Sequence, residues 1–273
     1  TILERALSTG RVHHVFLFPG LQGVGKFTTA MAFSAIVNCE NRPEETFRDA
    51  CGECASCRKI AGGNHPDMMV IAPQGKSKRI KISQIRKLQK AATKQPHEAR
   101  YRMVVIDQAH GMSNEAANAL LKTLEEPATR MRLVVVTDQA HRLLDTIISR
   151  CQQLSFSGLE HQQVLATLRE ELEANEADEE PEADEEPEAH ETLDEMPDEE
   201  TLELAAAYGE GSVGRSLDVI TSGMLDQRRD LIESVLDRPP GRPARLLDLA
   251  QELGRKNSQL DDQLDVLKLF FRD

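Results

Sequence analysis

The chain has 273 residues, of which 40% are hydrophobic and 4% aromatic, so it can bury one large core or several small ones. Its net charge of −13 would argue against nucleic acid, but residues 173–200 hold 16 Asp and Glu and no Lys or Arg. Outside that tract, 30 acidic residues face 33 basic ones. No apolar run predicts a membrane span, and the amphipathic start is unlike a signal peptide, so we expect the cytoplasm. Because the pattern starts within a helix at Thr1, we expect the natural beginning to be missing.

Short apolar runs alternate with helical patterns over residues 1–157, which predicts a parallel sheet buried on both faces. The predicted strands are Val15–Phe18, Met68–Ala72, Met103–Asp107, Leu133–Thr137 and Gln152–Phe156. The predicted helices between them are Lys26–Val37, Ser83–Gln95, Asn114–Glu125 and Leu143–Ser149. The fold class is therefore α/β.

Strand patterns stop after Gly158, and residues 158–222 predict a small helical domain. Its helices are predicted at Glu160–Ala174, Thr201–Tyr208 and Ser212–Ser222, and a further one at Leu225–Asp237. The Glu/Asp/Pro/Ala-rich tract 173–200 cannot bury enough apolar surface to order itself, so it predicts a disordered insertion without an assigned function. A Pro-rich segment at 238–243 marks a break before two more helical patterns.

A glycine-rich turn follows the first predicted strand and precedes a helix, which is the arrangement of a phosphate-binding loop. Gly20, Gly25 and Lys26 match the spacing of that motif, and Gly23 adds conformational freedom within it. In active loops a Ser or Thr that binds Mg²⁺ follows the Lys, but here the residue is Phe27. Thr28 lies about 100° further round the helix. Mg²⁺ and ATP binding are therefore in doubt.

The second half of the predicted site is the strand that ends at Asp107, where a metal-binding carboxylate is expected. In active ATPases of the AAA+ type a Glu follows that Asp and orients the attacking water, but here the residue is Gln108. An amide cannot act as a base at neutral pH. Two substitutions in complementary halves of one site predict that the chain does not hydrolyse ATP itself.

Four of the five cysteines, Cys39, Cys51, Cys54 and Cys57, form a C-x11-C-x2-C-x2-C cluster between residues 39 and 57. Four thiolates suit a closed, structural Zn²⁺ site without an open coordination position. An iron–sulfur cluster shares such spacings, and disulfides are a further alternative. The fifth, Cys151, has no His placed to activate it, so we expect a buried structural thiol.

Basic residues cluster before and along the second predicted helix. They are Lys76, Lys78, Arg79, Lys81, Arg86, Lys87, Lys90 and Lys94. This face is either an ordinary solvated helix surface or a contact for the phosphates of a nucleic acid.

Several segments together resemble the bacterial clamp-loader ATPases of DNA polymerase III, most closely the delta-prime family, from about Ala6 to about Leu217. They are the loop with its preceding His13–Phe18 segment, the four-cysteine insert, His65-Pro66-Asp67, the Asn118–Pro127 segment and Thr146–Cys151. The resemblance implies an AAA+ P-loop domain with a zinc module over 1–157, a small helical lid domain over 158–222 and a partial helical collar over 223–273.

The resemblance also implies the function: a non-catalytic, stator-like subunit of the complex that loads the sliding clamp on primed DNA. Arg150, in Ser149-Arg150-Cys151, matches the family's arginine finger, which enters a neighbour's site in trans; an isolated Arg at a helix end would be a solvated cap. Thr137 matches the first sensor of the outermost phosphate. Arg215 sits one residue beyond the second sensor position, so we assign it no role.

The implied partners are the gamma/tau and delta subunits, the sliding clamp and primer–template DNA, with no membrane. The chain would then have no ATPase activity of its own but belong to the DNA polymerase III holoenzyme, a nucleotidyltransferase. One alternative is an active clamp-loader ATPase of the gamma/tau type, and another is a zinc-stabilised adaptor without a ring partner.

Overall fold

A computed structural model describes residues 2–41, 49–75, 78–178, 196–223 and 225. The predicted collar over 223–273, except residues 223 and 225, lies outside these residues, as do most of the acidic tract and Lys76. Among the helices that are described, none is long and apolar enough to cross a membrane. The chain divides into two compact units, with the boundary between Gly158 and Leu159.

The first unit contains a five-stranded sheet in which every neighbouring pair is parallel, as the sequence predicts. Its strands are β1 (Val15–Pro19), β2 (Met68–Ile71), β3 (Arg102–Ile106), β4 (Met131–Thr137) and β5 (Gln152–Gln153). The spatial order is β2-β3-β4-β1-β5, so β1 has a neighbour on each side. Because all strands run the same way, their carboxyl ends form one edge of the sheet and their amino ends the other.

Helices connect the strands and cover both faces of the sheet. They are α1 (Ile2–Ser8), α2 (Lys26–Asn38), α3 (Ala55–Ala61), α4 (Ile82–Ala92), α5 (Asn114–Glu125) and α6 (Asp145–Ile148). Successive residues of β1 point to opposite faces: Val15 and Leu17 pack in one apolar cluster, and Phe16 and Phe18 in the other. All four side chains are buried, which explains why the strand has no alternation of apolar and polar residues.

The fifth strand is shorter than predicted, because regular pairing ends at Gln153. Hydrogen bonds nevertheless continue along β1, from the Leu154 and Phe156 N–H groups to the carbonyls of Leu17 and Pro19 at 2.8 Å each. At the end of this line a Cβ atom on Gly20 would lie 2.3 Å from the Phe156 carbonyl oxygen. Glycine is therefore required at position 20 by this close approach of the two segments.

The described part of the second unit is helical and has its own apolar core. It contains α7 (His161–Asp178), α8 (Glu199–Gly209) and α9 (Val213–Thr221). Leu168 and Ala205 are fully buried in that core. The predicted start of disorder at Glu173 was wrong, because α7 continues to Asp178 through good helix formers such as Glu and Ala.

A buried carboxylate, Asp67, holds together the segments that precede β2 and β3. Both of its oxygens accept a hydrogen bond from the His97 N–H at 2.7 Å, and one also accepts from Glu98 and Ala99. The Arg102 guanidinium adds an ion pair at 2.9 Å. Burial alone would raise the pKa of Asp67, but these donors outweigh it and hold the pKa far below its usual value.

The Asp67→Asn substitution should lower the free energy of unfolding of the first unit by about 3 kcal/mol, because it leaves Arg102 without its counter-ion. The folded-state pKa is depressed, so this contribution is present above about pH 5 and is lost as the pH falls through the folded-state pKa. Urea unfolding of variant and parent at several pH values measures both effects.

The matched control is Asp145→Asn, because the Asp145 side chain is exposed. It should change the stability by less than about 0.5 kcal/mol. Equal effects of the two substitutions would contradict the role given to Asp67.

Candidate nucleotide site and four-cysteine centre

The glycine-rich loop lies at the carboxyl edge of the sheet, between β1 and α2. Gly23 and Gly25 have φ values of 74° and 81°, in the left-handed region that favours glycine. Gly25 directly precedes α2, so the turn directs the helix amino terminus and its partial positive charge towards the loop. The backbone of a phosphate-binding loop is therefore present.

Lys26, the first residue of α2, is buried, and its ammonium group turns into the loop. It donates to the Gly20 carbonyl at 3.0 Å and also to the Leu21 carbonyl. Burial lowers the pKa of Lys26, which the charges of Asp138 and Asp107 partly oppose. In this conformation the N–H groups of the Lys26 ammonium are bound to loop carbonyls, although a phosphate would need the same donors.

Phe27 takes the position of the metal-binding hydroxyl, and its side chain is 38% exposed. Thr28 is exposed on the same turn of α2. The hydroxyl of the next residue, Thr29, is turned back on the helix and donates to the Gly25 carbonyl at 2.8 Å. A Ser or Thr ligand for Mg²⁺ is thus missing from the position that the motif requires.

Asp107 follows β3 directly at the same edge of the sheet and is half-buried. Burial raises the pKa of its carboxyl group, although the Gln108 N–H and the charges of Lys26 and His110 oppose the rise. Gln108 is exposed and has a φ of 47°, a strained value for a residue other than glycine. An amide at this position offers no proton acceptor for an attacking water.

Two residues without a predicted role, His110 and Asp138, complete this edge. The His110 Nδ1 atom lies 2.8 Å from the Asp138 carboxylate and 3.3 Å from the Thr137 hydroxyl. That hydroxyl also accepts a hydrogen bond from the Gln139 N–H at 3.1 Å, and Thr137 is 1% exposed. The predicted phosphate sensor is therefore engaged by its own neighbours. In the sequence, a role for Asp138 could have been indicated only by its position directly after the predicted strand that became β4.

The four predicted cysteines come together at the end of α2 and the start of α3. Their sulfur atoms all lie within 4.8 Å of one another. Backbone N–H groups of Cys51, Cys54 and Cys57 each approach the sulfur of the preceding cysteine at 3.4 Å. Such N–H groups stabilise thiolate charge.

The arrangement fits tetrahedral Zn²⁺, whose bonds of about 2.3 Å to sulfur place the ligand atoms roughly 3.8 Å apart. Cys54 and Cys57 are buried, and the remaining two are half-buried. All four ligand positions would be filled by sulfur, so such an ion would stabilise the fold without activating water. Cys151 lies apart from this centre, with its thiol directed to the Ile147 carbonyl, and burial raises its pKa to about 12.

The cysteine centre is connected to the Asp67 network through α3. The Ser56 hydroxyl lies 3.2 Å from the His65 Nε2 atom, and the other nitrogen of that ring accepts the Asp67 N–H at 3.1 Å. Lys59 pairs with Glu98, whose N–H binds Asp67. The His65-Pro66-Asp67 motif is therefore a structural junction, which its sequence alone did not reveal.

Arg150 lies at the amino edge of the sheet, two residues before β5. Its guanidinium donates to the Glu125 carboxylate at 2.9 Å and to the Thr146 carbonyl at 2.9 Å. The Arg150 and Glu125 side chains are 37% and 51% exposed. An exposed pair of this kind contributes about 0–1 kcal/mol, so the guanidinium can be released at little cost.

A parallel sheet in the order β2-β3-β4-β1-β5, with a glycine-rich loop after β1 and an acidic residue after β3, defines a P-loop NTPase of the AAA+ type. A family model described as "DNA polymerase III, delta subunit" matches residues 1–160. The chain belongs to that family.

Curated relatives of two kinds are similar to this chain. The DNA polymerase III subunit delta' of Bacillus subtilis is 39% identical over 159 residues, covering 58% of this chain and 46% of that protein. The DNA polymerase III subunit tau of Salmonella typhimurium is 34% identical over 256 residues, covering 93% and 39%. The chain thus spans less than half the length of these relatives.

A solved structure, a DNA polymerase III gamma subunit-related protein from Thermotoga maritima, has a TM-score of 0.46 at 23% identity. The match covers 64% of this chain and 53% of that one.

We expect one Zn²⁺ per chain by metal analysis of the purified protein. Cys57→Ser should lose the metal and lower Tm by about 10 °C, because structural zinc contributes directly to folding. Cys151→Ser is the matched control and should keep the metal. Folded protein without zinc, or an iron–sulfur absorbance, would contradict this assignment.

Proposed function

We propose that the chain is a non-catalytic, stator-like subunit of the bacterial clamp loader of DNA polymerase III. It helps to load the sliding clamp on primed DNA in the cytoplasm and donates Arg150 to a neighbouring ATPase subunit. Its partners are the gamma/tau and delta subunits, the clamp and primer–template DNA. One observation carries the proposal. The P-loop fold is intact, but in its own site Phe27 replaces the metal-binding hydroxyl and Gln108 replaces the Glu that orients water.

The position of Arg150 supports action in trans. It lies near the amino edge of the sheet, because Gln152, two residues later, pairs with Phe16 near the start of β1. The chain's own loop follows the other end of β1. Five residues of extended strand span about 16 Å, which is beyond the reach of an arginine side chain. This distance supports a role of the guanidinium at another molecule's phosphate, where its permanent charge and planar donors would stabilise the transferring group.

The basic face of α4 supports contact with DNA. Ile85 and Leu88 attach the helix to the core, whereas Arg86, Lys87 and Lys90 are exposed on it. These side chains are suited to phosphates, which would make binding salt-dependent and independent of base sequence.

A second candidate is an active clamp-loader ATPase of the gamma/tau type. The similarity to a tau subunit over 93% of the chain favours it. It requires that Thr28 or Thr29 replaces the missing metal ligand and that Gln108 suffices to orient water. The exposed Thr28 and the inward-turned Thr29 make that requirement hard to meet.

The isolated chain should hydrolyse ATP at the background rate, far below the ~1 s⁻¹ that is the lower end of typical kcat values. Lys26→Ala is the control, because it removes the phosphate-binding ammonium: an unchanged rate shows that any residual turnover is contamination. Turnover that is robust and lost in Lys26→Ala would support the gamma/tau type instead.

Purified gamma/tau and delta subunits should retain the chain in a pull-down. If the chain fails to bind these subunits although its zinc centre is intact, it is instead a zinc-stabilised adaptor outside the ring.

A further inference from the structure

The amino edge of the sheet contains a cleft of about 450 Å³, between the segment before β1 and the segment before β4. Its lining includes the side chains of Arg11, His13, His14 and Arg132. Thr129 and Gln152 add neutral hydrogen-bonding groups. No Asp or Glu is among the described residues that line it, so the cleft gathers cationic and neutral donors only.

The guanidinium of Arg132 is fixed in position within this cleft. It lies over the Tyr101 ring at 4.2 Å from the centroid and donates to the Thr129 and Met131 carbonyls at 3.0 and 2.8 Å. Its Nε atom is buried and has no hydrogen-bond partner in the part of the chain that is described. Arg100 approaches the same ring at 5.5 Å. Arg132 is thus a fixed, partly buried cation next to backbone carbonyls, and no carboxylate of the described residues pairs with it.

Like charges repel one another across the cleft. The His13 and His14 rings lie 4.3 Å apart, centroid to centroid. Burial, His13 and Arg132 all lower the pKa of His14. Burial lowers the pKa of Arg132, which Tyr101 opposes and Arg100 reinforces. Arg11 is exposed at the rim, and no carboxylate of the described chain pairs with it. A bound anion would offset this repulsion.

We propose that this cleft is a binding site for a phosphate group. Guanidinium groups bind phosphate oxygens through charged N–H donors. Arg11 can offer its exposed guanidinium, and Arg132 can offer its Nη2 group, because its Nη1 donates to two carbonyls and its Nε is buried. The hydroxyl of Thr129 and the amide of Gln152 can satisfy further oxygens. A tetrahedral phosphate has enough acceptors for all of these donors, which converge from three separate segments of the chain.

A second, smaller cleft of about 280 Å³ adjoins the first and shares Ala128 and Thr129 with it. Lys94 and Arg130 line this second cleft and are exposed. The two clefts together can take a ligand with more than one phosphate. The phosphate can therefore come from free phosphate in solution or from the backbone of a nucleic acid.

The test is an NMR titration of the full chain labelled at its histidine rings. Inorganic phosphate should shift the His13 and His14 signals and move the titration midpoint of His14 to higher pH, because the anion stabilises the imidazolium against His13, Arg11 and Arg132. Arg11→Gln should weaken this binding about tenfold, the effect of one charge-assisted hydrogen bond. This variant is chosen because Arg132 also packs on Tyr101 and its loss would disturb the fold.

Arg58→Gln is the matched control, because Arg58 is exposed on α3 and its loss changes the net charge equally. It should leave phosphate binding unchanged. An eight-residue oligothymidylate without terminal phosphates distinguishes the sources. The same shifts at lower concentration, weakened by Arg11→Gln and Arg130→Gln, identify a nucleic-acid backbone, and shifts with inorganic phosphate alone identify the free anion.

Two results would overturn the proposal. One is no shift of His14 with either probe up to about 20 mM, well above the millimolar range expected of a weak anion site. The other is a shift that Arg11→Gln and Arg58→Gln change equally, which would show a general charge effect in place of a site.

Discussion

The parallel arrangement of the five strands is the constraint on which the remaining structure depends. Parallel strands must be joined by crossovers, and these helices cover both faces, so only the two edges of the sheet are left for polar chemistry. The carboxyl edge holds the glycine-rich loop, Asp107 and Thr137. The amino edge holds Arg150 and the cationic cleft beside Arg132. The sheet of the first unit thus has polar groups at both ends of its strands, separated by the length of a strand.

The functional side chains at the two edges differ in the contacts that they make within the chain. At the carboxyl edge the groups that would handle a nucleotide are bound to their neighbours: Lys26 to loop carbonyls, and Thr137 to Gln139 and His110. At the amino edge Arg150 is held by an exposed ion pair with Glu125 and a hydrogen bond to the Thr146 carbonyl. This difference agrees with a chain that has kept the fold of an ATPase and offers an arginine outward. The Asp67 junction and the cysteine centre brace the β2 side of the same sheet.

The sequence predicted the features that depend on neighbours along the chain. The strands, the loop and the cysteine cluster were correct to within a few residues, because apolar runs, glycine spacing and C-x2-C spacing are local signals. Contacts between distant segments were missed. Asp67 meets residues 97–99 and Arg102, about 30 positions later, and the cleft joins Arg11 with Arg132. No local sequence pattern predicts such contacts, because they depend on the order of the strands in the sheet.

The central claim is that Arg150 serves a neighbour's ATP and not the chain's own. The most direct measurement is single-site ATP turnover in the reconstituted clamp-loader ring that contains either Arg150→Ala or Arg142→Ala, a control on an exposed arginine eight residues earlier in the chain. The account predicts that Arg150→Ala lowers hydrolysis at the adjoining site by roughly 10³-fold, the effect of an arginine finger, without disassembling the ring. Equal rates in the two rings would contradict it.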